Sequence, residues 1–183
     1  QGSTDGWVKV TLDVPGLIGA TLTQFDVIVD IGTGTGNVYL DDFSLVPANI
    51  PKVQAQKPSD SILRNPGLET LNADGSVLHW DVWPGDPAEG VRNYEVVSDV
   101  VHGGDRALKI NLQFSNGQAV YQYCVDPESF DFTADYIASV WVKTENMTIY
   151  DGTGATLSVK RTDPDGNVHV IKTNVPTGTN DWV

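Results

Sequence analysis

Catalysis in this chain would have to come from carboxylates and imidazoles, and the spacing of both argues against it. The three histidines, His79, His102 and His169, are not in His-x-x-x-His spacing, and no Gly-x-Ser-x-Gly elbow occurs. The 24 acidic residues, mostly Asp, offer many conceivable pairs for glycosidase-type acid–base work. Most of these Asp stand in turns, where solvation and backbone capping account for them. The one cysteine, Cys124, lies in an apolar-aromatic run and reads as a buried strand thiol rather than a nucleophile. Alone, it forms no internal disulfide. The chain reads as a non-enzyme.

Binding chemistry has better material. Sugar rings present C–H faces that stack on Trp and Tyr, while amides and acids bond their hydroxyls. Trp80 and Trp83 are three residues apart, so strand alternation puts them on opposite faces, one of them in the core. Tyr121 and Tyr123 share a face and Gln122 points the other way. Trp141 shares its face with Ser139 and Lys143, a mixed polar-aromatic surface of the kind that lines a groove. The candidate carbohydrate-binding residues are Trp141, Trp83, Tyr121 and Gln122, against the alternative that these large rings fill a core. Asn146-Met147-Thr148 fits an N-glycosylation acceptor, with Asn146 at a surface turn.

The surroundings of these groups are acidic. Eleven basic residues leave a net charge of −13. Such a surface repels nucleic acid and anionic membranes and suits divalent cations or neutral glycans. No apolar run reaches the ~18 residues that membrane insertion requires. The opening Gln1-Gly2-Ser3-Thr4 has no basic-then-apolar signal, so the chain reads as a mature or excised piece. An acidic, cysteine-poor chain fits an extracellular or cell-surface setting.

The elements that must position these residues are strands. Residues 7–14 alternate apolar and polar side chains, 22–31 do so again, and 38–46 form a third run. Gly32-Thr33-Gly34-Thr35-Gly36-Asn37 precedes a strand rather than a helix, so it reads as a hairpin turn and not a phosphate loop. Further runs fall at 77–83, 94–101, 106–114, 118–125, 135–143, 155–162 and 167–175. Asp163-Pro164-Asp165-Gly166-Asn167 is hairpin chemistry between the last two. With 18 Gly and 10 Pro as punctuation and no long 3.6-residue period, the fold class is all-β, an antiparallel β-sandwich.

Residues 47–61 differ from the rest: three prolines, few large apolar groups and no periodicity make a Pro-rich linker. A short phrase also recurs at the two ends, Thr4-Asp5-Gly6-Trp7-Val8 and Thr179-Asn180-Asp181-Trp182-Val183. It suggests a chain that opens and closes in the middle of a repeating unit.

Three signatures give that suggestion a frame. Asn65-Pro66-Gly67-Leu68-Glu69, His102-Gly103-Gly104-Asp105-Arg106-Ala107-Leu108 and Tyr136-Ile137-Ala138-Ser139-Val140-Trp141-Val142-Lys143 together resemble the β-jelly-roll carbohydrate-binding modules of the family 4, 9 and 22 type. In that family a Trp-led strand and a "Tyr-Leu-Asp-Asp-x-Ser-Leu" strand close the module. Here those pieces stand first, from Trp7 to Val14 and from Tyr39 to Leu45. The resemblance implies that 1–46 are the closing strands of one module and 62–183 the first two-thirds of the next. They would be completed across the linker, as a circular permutation, or by strand exchange with a neighbouring copy. It also implies a structural calcium held by Glu69, by backbone oxygens near Gly104 and Asp105, and by one carboxylate of Asp41 and Asp42. Alternation sends that pair to opposite faces, and Asp42 is the slightly favoured ligand.

Two functions follow as expectations. One is a non-catalytic repeat unit of an extracellular fibre, surface array or adhesin, with other copies of itself as head-to-tail partners and calcium rigidifying each module. The other is a polysaccharide-binding module of a secreted multimodular glycoside hydrolase.

Overall fold

A computed structural model of the chain describes residues 6–16, 22, 24–49, 61–83, 94–113, 118–123, 131, 133–150 and 155–175. Linker residues 50–60, Cys124 and the second Trp-Val phrase at 179–183 lie outside them. The described residues form ten strands and no helix: β1 (Val8–Val14), β2 (Gln24–Ile31), β3 (Gly34–Pro47), β4 (Asp81–Trp83), β5 (Tyr94–Val97), β6 (Ala107–Gln113), β7 (Gln118–Tyr123), β8 (Tyr136–Ile149), β9 (Ala155–Thr162) and β10 (Val168–Val175).

The strands arise from period-2 patterning. Val10, Leu12 and Val14 of β1 are buried while Thr11 and Asp13 are exposed. Val27, Val29 and Ile31 of β2, Val140 and Val142 of β8, and Leu157 and Val159 of β9 are fully buried. These inward residues meet in one apolar core between two antiparallel five-stranded sheets, which makes the fold a β-sandwich. The first sheet has the order β1-β8-β3-β6-β5 and the second β10-β9-β2-β7-β4.

The strands from the start of the chain take interior places. β3 lies between β8 and β6, and β2 lies between β9 and β7. β1 pairs with β8 in register from Val8 opposite Val142 to Val14 opposite Tyr136. Without residues 8–47, both sheets would lose their central pairings and leave apolar faces bare.

Three sequence expectations change. β2 and β3 lie in different sheets, so Gly32–Asn37 crosses the sandwich rather than forming a hairpin turn. The glycines permit that crossing: a Cβ on Gly34 would collide with Thr148 O, and Gly36 has φ 111 against the Asn146 carbonyl. The run 77–83 shrinks to Asp81–Trp83, because Val77–Trp80 is a turn closed by Trp80 N–H donating to Val77 O at 3.2 Å. Conversely, β8 extends to Ile149, since β3 pairs along its whole length. Asp163–Asn167 joins β9 to β10, its Asp163 Oδ1 accepting from Asn167 N–H at 2.8 Å.

Candidate functional site

The most elaborate polar arrangement starts in the middle of β3. The β3–β8 register shifts between Asp41 and Ser44, a β-bulge, and Asp42 inside it has φ 44. Regular alternation, which would separate the faces of Asp41 and Asp42, breaks there. Both carboxylates reach the one loop that begins at His102. Asp41 Oδ2 accepts the backbone N–H groups of His102 at 2.8 Å and Gly103 at 3.1 Å, and its Oδ1 accepts from Asp42 N–H at 2.7 Å. Asp42 Oδ2 lies 2.6 Å from His102 Nδ1.

A third carboxylate closes on the same loop from the segment before β4. Pro66 O accepts the N–H of Phe43 at 2.9 Å, laying Asn65–Glu69 against the bulge. Asn65 (φ 48) and Leu68 (φ 61) hold left-handed conformations that the surroundings must enforce. Leu68 does so by full burial, and Asn65 by its amide, which donates to Thr70 O and Leu78 O at 3.0 Å each and accepts from Thr70 N–H at 3.0 Å. Glu69 Oε1 then accepts from Asp105 N–H at 3.0 Å and Arg106 N–H at 3.3 Å. Arg106 Nη1 donates back to Glu69 O at 2.8 Å.

Glycine is required where these parts meet. A Cβ on Gly103 would press on the Asp42 carboxylate, and one on Gly104 (φ 62) would overlap Glu69 Oε1. A Cβ on Gly67 would stand 3.5 Å from Asp42 Oδ1 and 4.0 Å from Glu69 Oε1, so the two carboxylates flank one point. Asp42, Glu69, Gly104 and Asp105 of the expected calcium site are thus gathered at one place. Asp41 adjoins them but spends its oxygens on backbone N–H groups. Among the described residues no three His, Cys, Asp or Glu side chains are grouped to hold a metal. Any cation here would draw its other ligands from main-chain oxygens, a donor set that suits Ca²⁺.

No family model, curated protein or solved structure matches this chain. Function must therefore be argued from the geometry.

Burial pushes the Asp41 carboxyl up to about 6; the N–H groups of Gly103 and His102 pull it back, and the Asp42 charge adds to the rise. Beyond Asp42, His102 stacks on Trp141, with ring centroids 3.9 Å apart and planes 16° apart, while Trp7 meets His102 edge-on at 5.8 Å. Lys9 Nζ stands 6.0 Å from the Trp141 ring. Trp141 is therefore part of a packed row and not a bare platform. Ser139, expected beside it in a groove, is buried, its hydroxyl 2.8 Å from that of Ser44. Farther along this outer face, Tyr39 O–H donates to Glu145 Oε2 at 3.0 Å, and Lys143 Nζ pairs with Glu145 at 3.1 Å. Burial first, then that bond to Glu145, pushes the Tyr39 phenol up to about 12.

The other expected sugar contacts are on the opposite sheet. Tyr121 pairs with Ile28 and Asp81, Gln122 with Val27, and Trp83 with Ala119, all in the second sheet. Their side chains lie outside the described residues. Trp141 thus shares no sheet face with them. Trp80 takes the core role, 4.2 Å from Phe43, with its indole N–H donating to Asn65 O at 3.0 Å. Asn146 is exposed at φ 51, beside the buried Met147.

Sequence reasoning passed over His102, Gly103, Gly67 and Trp7 as site residues. The adjacent glycines after His102 were the available signal, since a Gly-Gly pair beside an expected metal ligand marks a close approach.

Proposed function

We propose that this chain is a non-catalytic structural module of jelly-roll type, a repeat unit of an extracellular fibre or array. Its two strand sets join across 47–61, and calcium staples them at Asp42 and Glu69. The interior placement of β2 and β3 supports this reading. Residues 8–47 complete both sheets, and those same pairings can be made within one chain or between neighbours. Cation binding would tie β3 to the Asn65–Glu69 and His102–Arg106 segments, which come from both strand sets. It would add stability in proportion to the logarithm of free Ca²⁺ above its dissociation constant.

Light scattering and electron microscopy, with and without Ca²⁺, test this on the full chain and on a variant lacking residues 52–57. Shortening the linker should convert intramolecular closure into head-to-tail oligomers. A strictly monomeric species in every condition overturns the polymer reading. An unfolding temperature unmoved by Ca²⁺ overturns the staple.

A second reading, a polysaccharide-binding face, is favoured by the outer surface of the first sheet, where Lys9, Trp141, Lys143, Tyr39 and Glu145 lie together. Gel retardation on β-glucans, xylans and mannans should then show a shift that Trp141→Ala removes. Unretarded migration on all of them counts against it.

A further inference from the structure

At the edge of the sandwich where β4 and β5 lie, away from the carboxylate cluster, a cavity of about 440 Å³ opens beneath the segment 64–80. Val77, Trp80, Val82 and Tyr94 supply its apolar and aromatic surface, and Arg64, Asp74, His79 and Asp81 its charged and polar groups. We propose that it is a binding site for a neutral, polyhydroxylated ring: one or two sugar units or a similar polyol. This goes beyond the structural role above and does not depend on it.

Three observations carry the inference. The first is preorganisation. One wall is a loop tied by its own bonds: Asn72 N–H to Ser76 O at 2.8 Å, Asn72 Nδ2 to Ser76 Oγ at 2.9 Å, and Ser76 Oγ to Asp74 Oδ1 at 2.6 Å. A wall already fixed loses little entropy on binding. Asn65, which anchors this loop, also carries Trp80 on its carbonyl.

The second is the set of polar groups left over. His79 and Asp81 make no hydrogen bond among the described residues, and both are exposed at the cavity. His79 moreover has φ 72, third in the turn Val77–Trp80, a place that favours glycine. The fold holds an imidazole there at a backbone cost, the pattern expected of a side chain kept for contact.

The third is charge. Arg64 stands with Asp74 and Asp81 around one cavity, so an anion meets carboxylates and a cation meets the guanidinium. A ligand without net charge that offers both donors and acceptors, and whose C–H faces can rest on Tyr94 and Val82, avoids both penalties. The volume falls within the range of small-molecule pockets, about 300–1,000 Å³.

Amide and indole ¹H–¹⁵N spectra of the full chain provide the test. The probes are glucose, xylose, mannose, galactose, cellobiose and xylobiose up to ~20 mM, a range that reaches the weak affinities expected of few contacts. Glucuronate and glucosamine are the charged comparisons. Saturable shifts should be confined to Arg64, residues 72–82 and Tyr94, and the charged sugars should bind more weakly. His79→Gly should keep or raise the unfolding temperature while weakening binding at least about fivefold, and Asp81→Ala should weaken it similarly. Absence of shifts with every neutral sugar overturns the proposal. So does equal or tighter binding of a charged one, or full affinity in His79→Gly. Shifts centred on Trp141 and Lys143 instead would assign sugar binding to the sheet face and remove it from this cavity.

Discussion

The middle strands of the two sheets each bury an aspartate, and the two are treated in opposite ways. Asp41 of β3 is fully buried, and three backbone N–H groups converge on its two oxygens. Asp26 of β2 is 2% exposed, takes one amide hydrogen from Gln24 at 2.7 Å, and leaves Oδ1 with no partner among the described residues. Burial raises the proton affinity of both. Only around Asp41 is the chain built to the carboxylate: a bulge turns β3 outward, a Gly-Gly loop comes close enough, and Glu69 and Asp42 complete the approach. A buried charge by itself therefore does not mark a site. Convergent donors and glycines placed for contact do.

The contrast breaks first at Asp41. Asp41→Ala strips the acceptor from three N–H groups at once and should destabilise the fold by about 3–5 kcal/mol. That lowers the melting temperature by roughly 6–20 °C for a chain of this size. Asp41→Asn keeps the shape and one acceptor oxygen and should fall between. A melting temperature within a degree or two of wild type for Asp41→Ala would mean that the loop does not depend on this carboxylate.

The glycine fit is tested next. Gly104→Ala adds a Cβ that overlaps Glu69 Oε1 at φ 62, so both the backbone and the carboxylate must yield; about 2 kcal/mol is expected. Gly75→Ala is the matched control, because its φ of 84 is as unfavourable but nothing lies within 4 Å of the added atom. It should cost about 1 kcal/mol. The proposed Ca²⁺-dependent rise in melting temperature should survive Gly75→Ala and vanish in Gly104→Ala. Equal behaviour of the two would reduce the cluster to a strained turn.

Much of the fold was legible because period-2 patterning is local. β1, β2, β9 and β10 lie within two residues of their expected bounds, and the Asp163–Asn167 turn falls between the last two. What escaped was non-local. That β2 and β3 belong to different sheets depends on which strands they meet, and nothing within Gly32–Asn37 encodes it. The bulge at Asp42 is set by pairing with β8 and by Pro66 O taking the Phe43 N–H, so alternation misplaced the Asp41–Asp42 pair. At the site, Glu69, Asp42 and Gly104 were found from motif order, whereas the stacking of His102 on Trp141 joins segments nearly forty residues apart. His79 and Asp81 escaped because they stand in what reads as an uninterrupted strand.

The smallest effect has the opposite sign, and it bears on the other half of the contrast. Burial holds the Asp26 carboxyl above its usual value, while the Gln24 amide and the Lys160 charge pull it partly back. The native state thus holds this proton more tightly than the unfolded chain does. As pH rises through the raised native value, the contribution of Asp26 turns against folding; as pH falls towards the ordinary carboxylate value of 3.8, it is recovered. Asp26→Asn removes the buried charge at nearly constant shape and keeps an acceptor for Gln24. At neutral pH it should raise the unfolding free energy by about 1 kcal/mol. Below the ordinary carboxylate value both side chains are neutral in both states, so the advantage should disappear. Denaturant unfolding of the two proteins across that pH range isolates this one group from the remaining acids, which titrate alike in both. If Asp26→Asn is instead the less stable protein at neutral pH, then Asp26 Oδ1 has a donor. The second sheet would then hold a satisfied carboxylate like that of the first, and the contrast between the two sheets would fail.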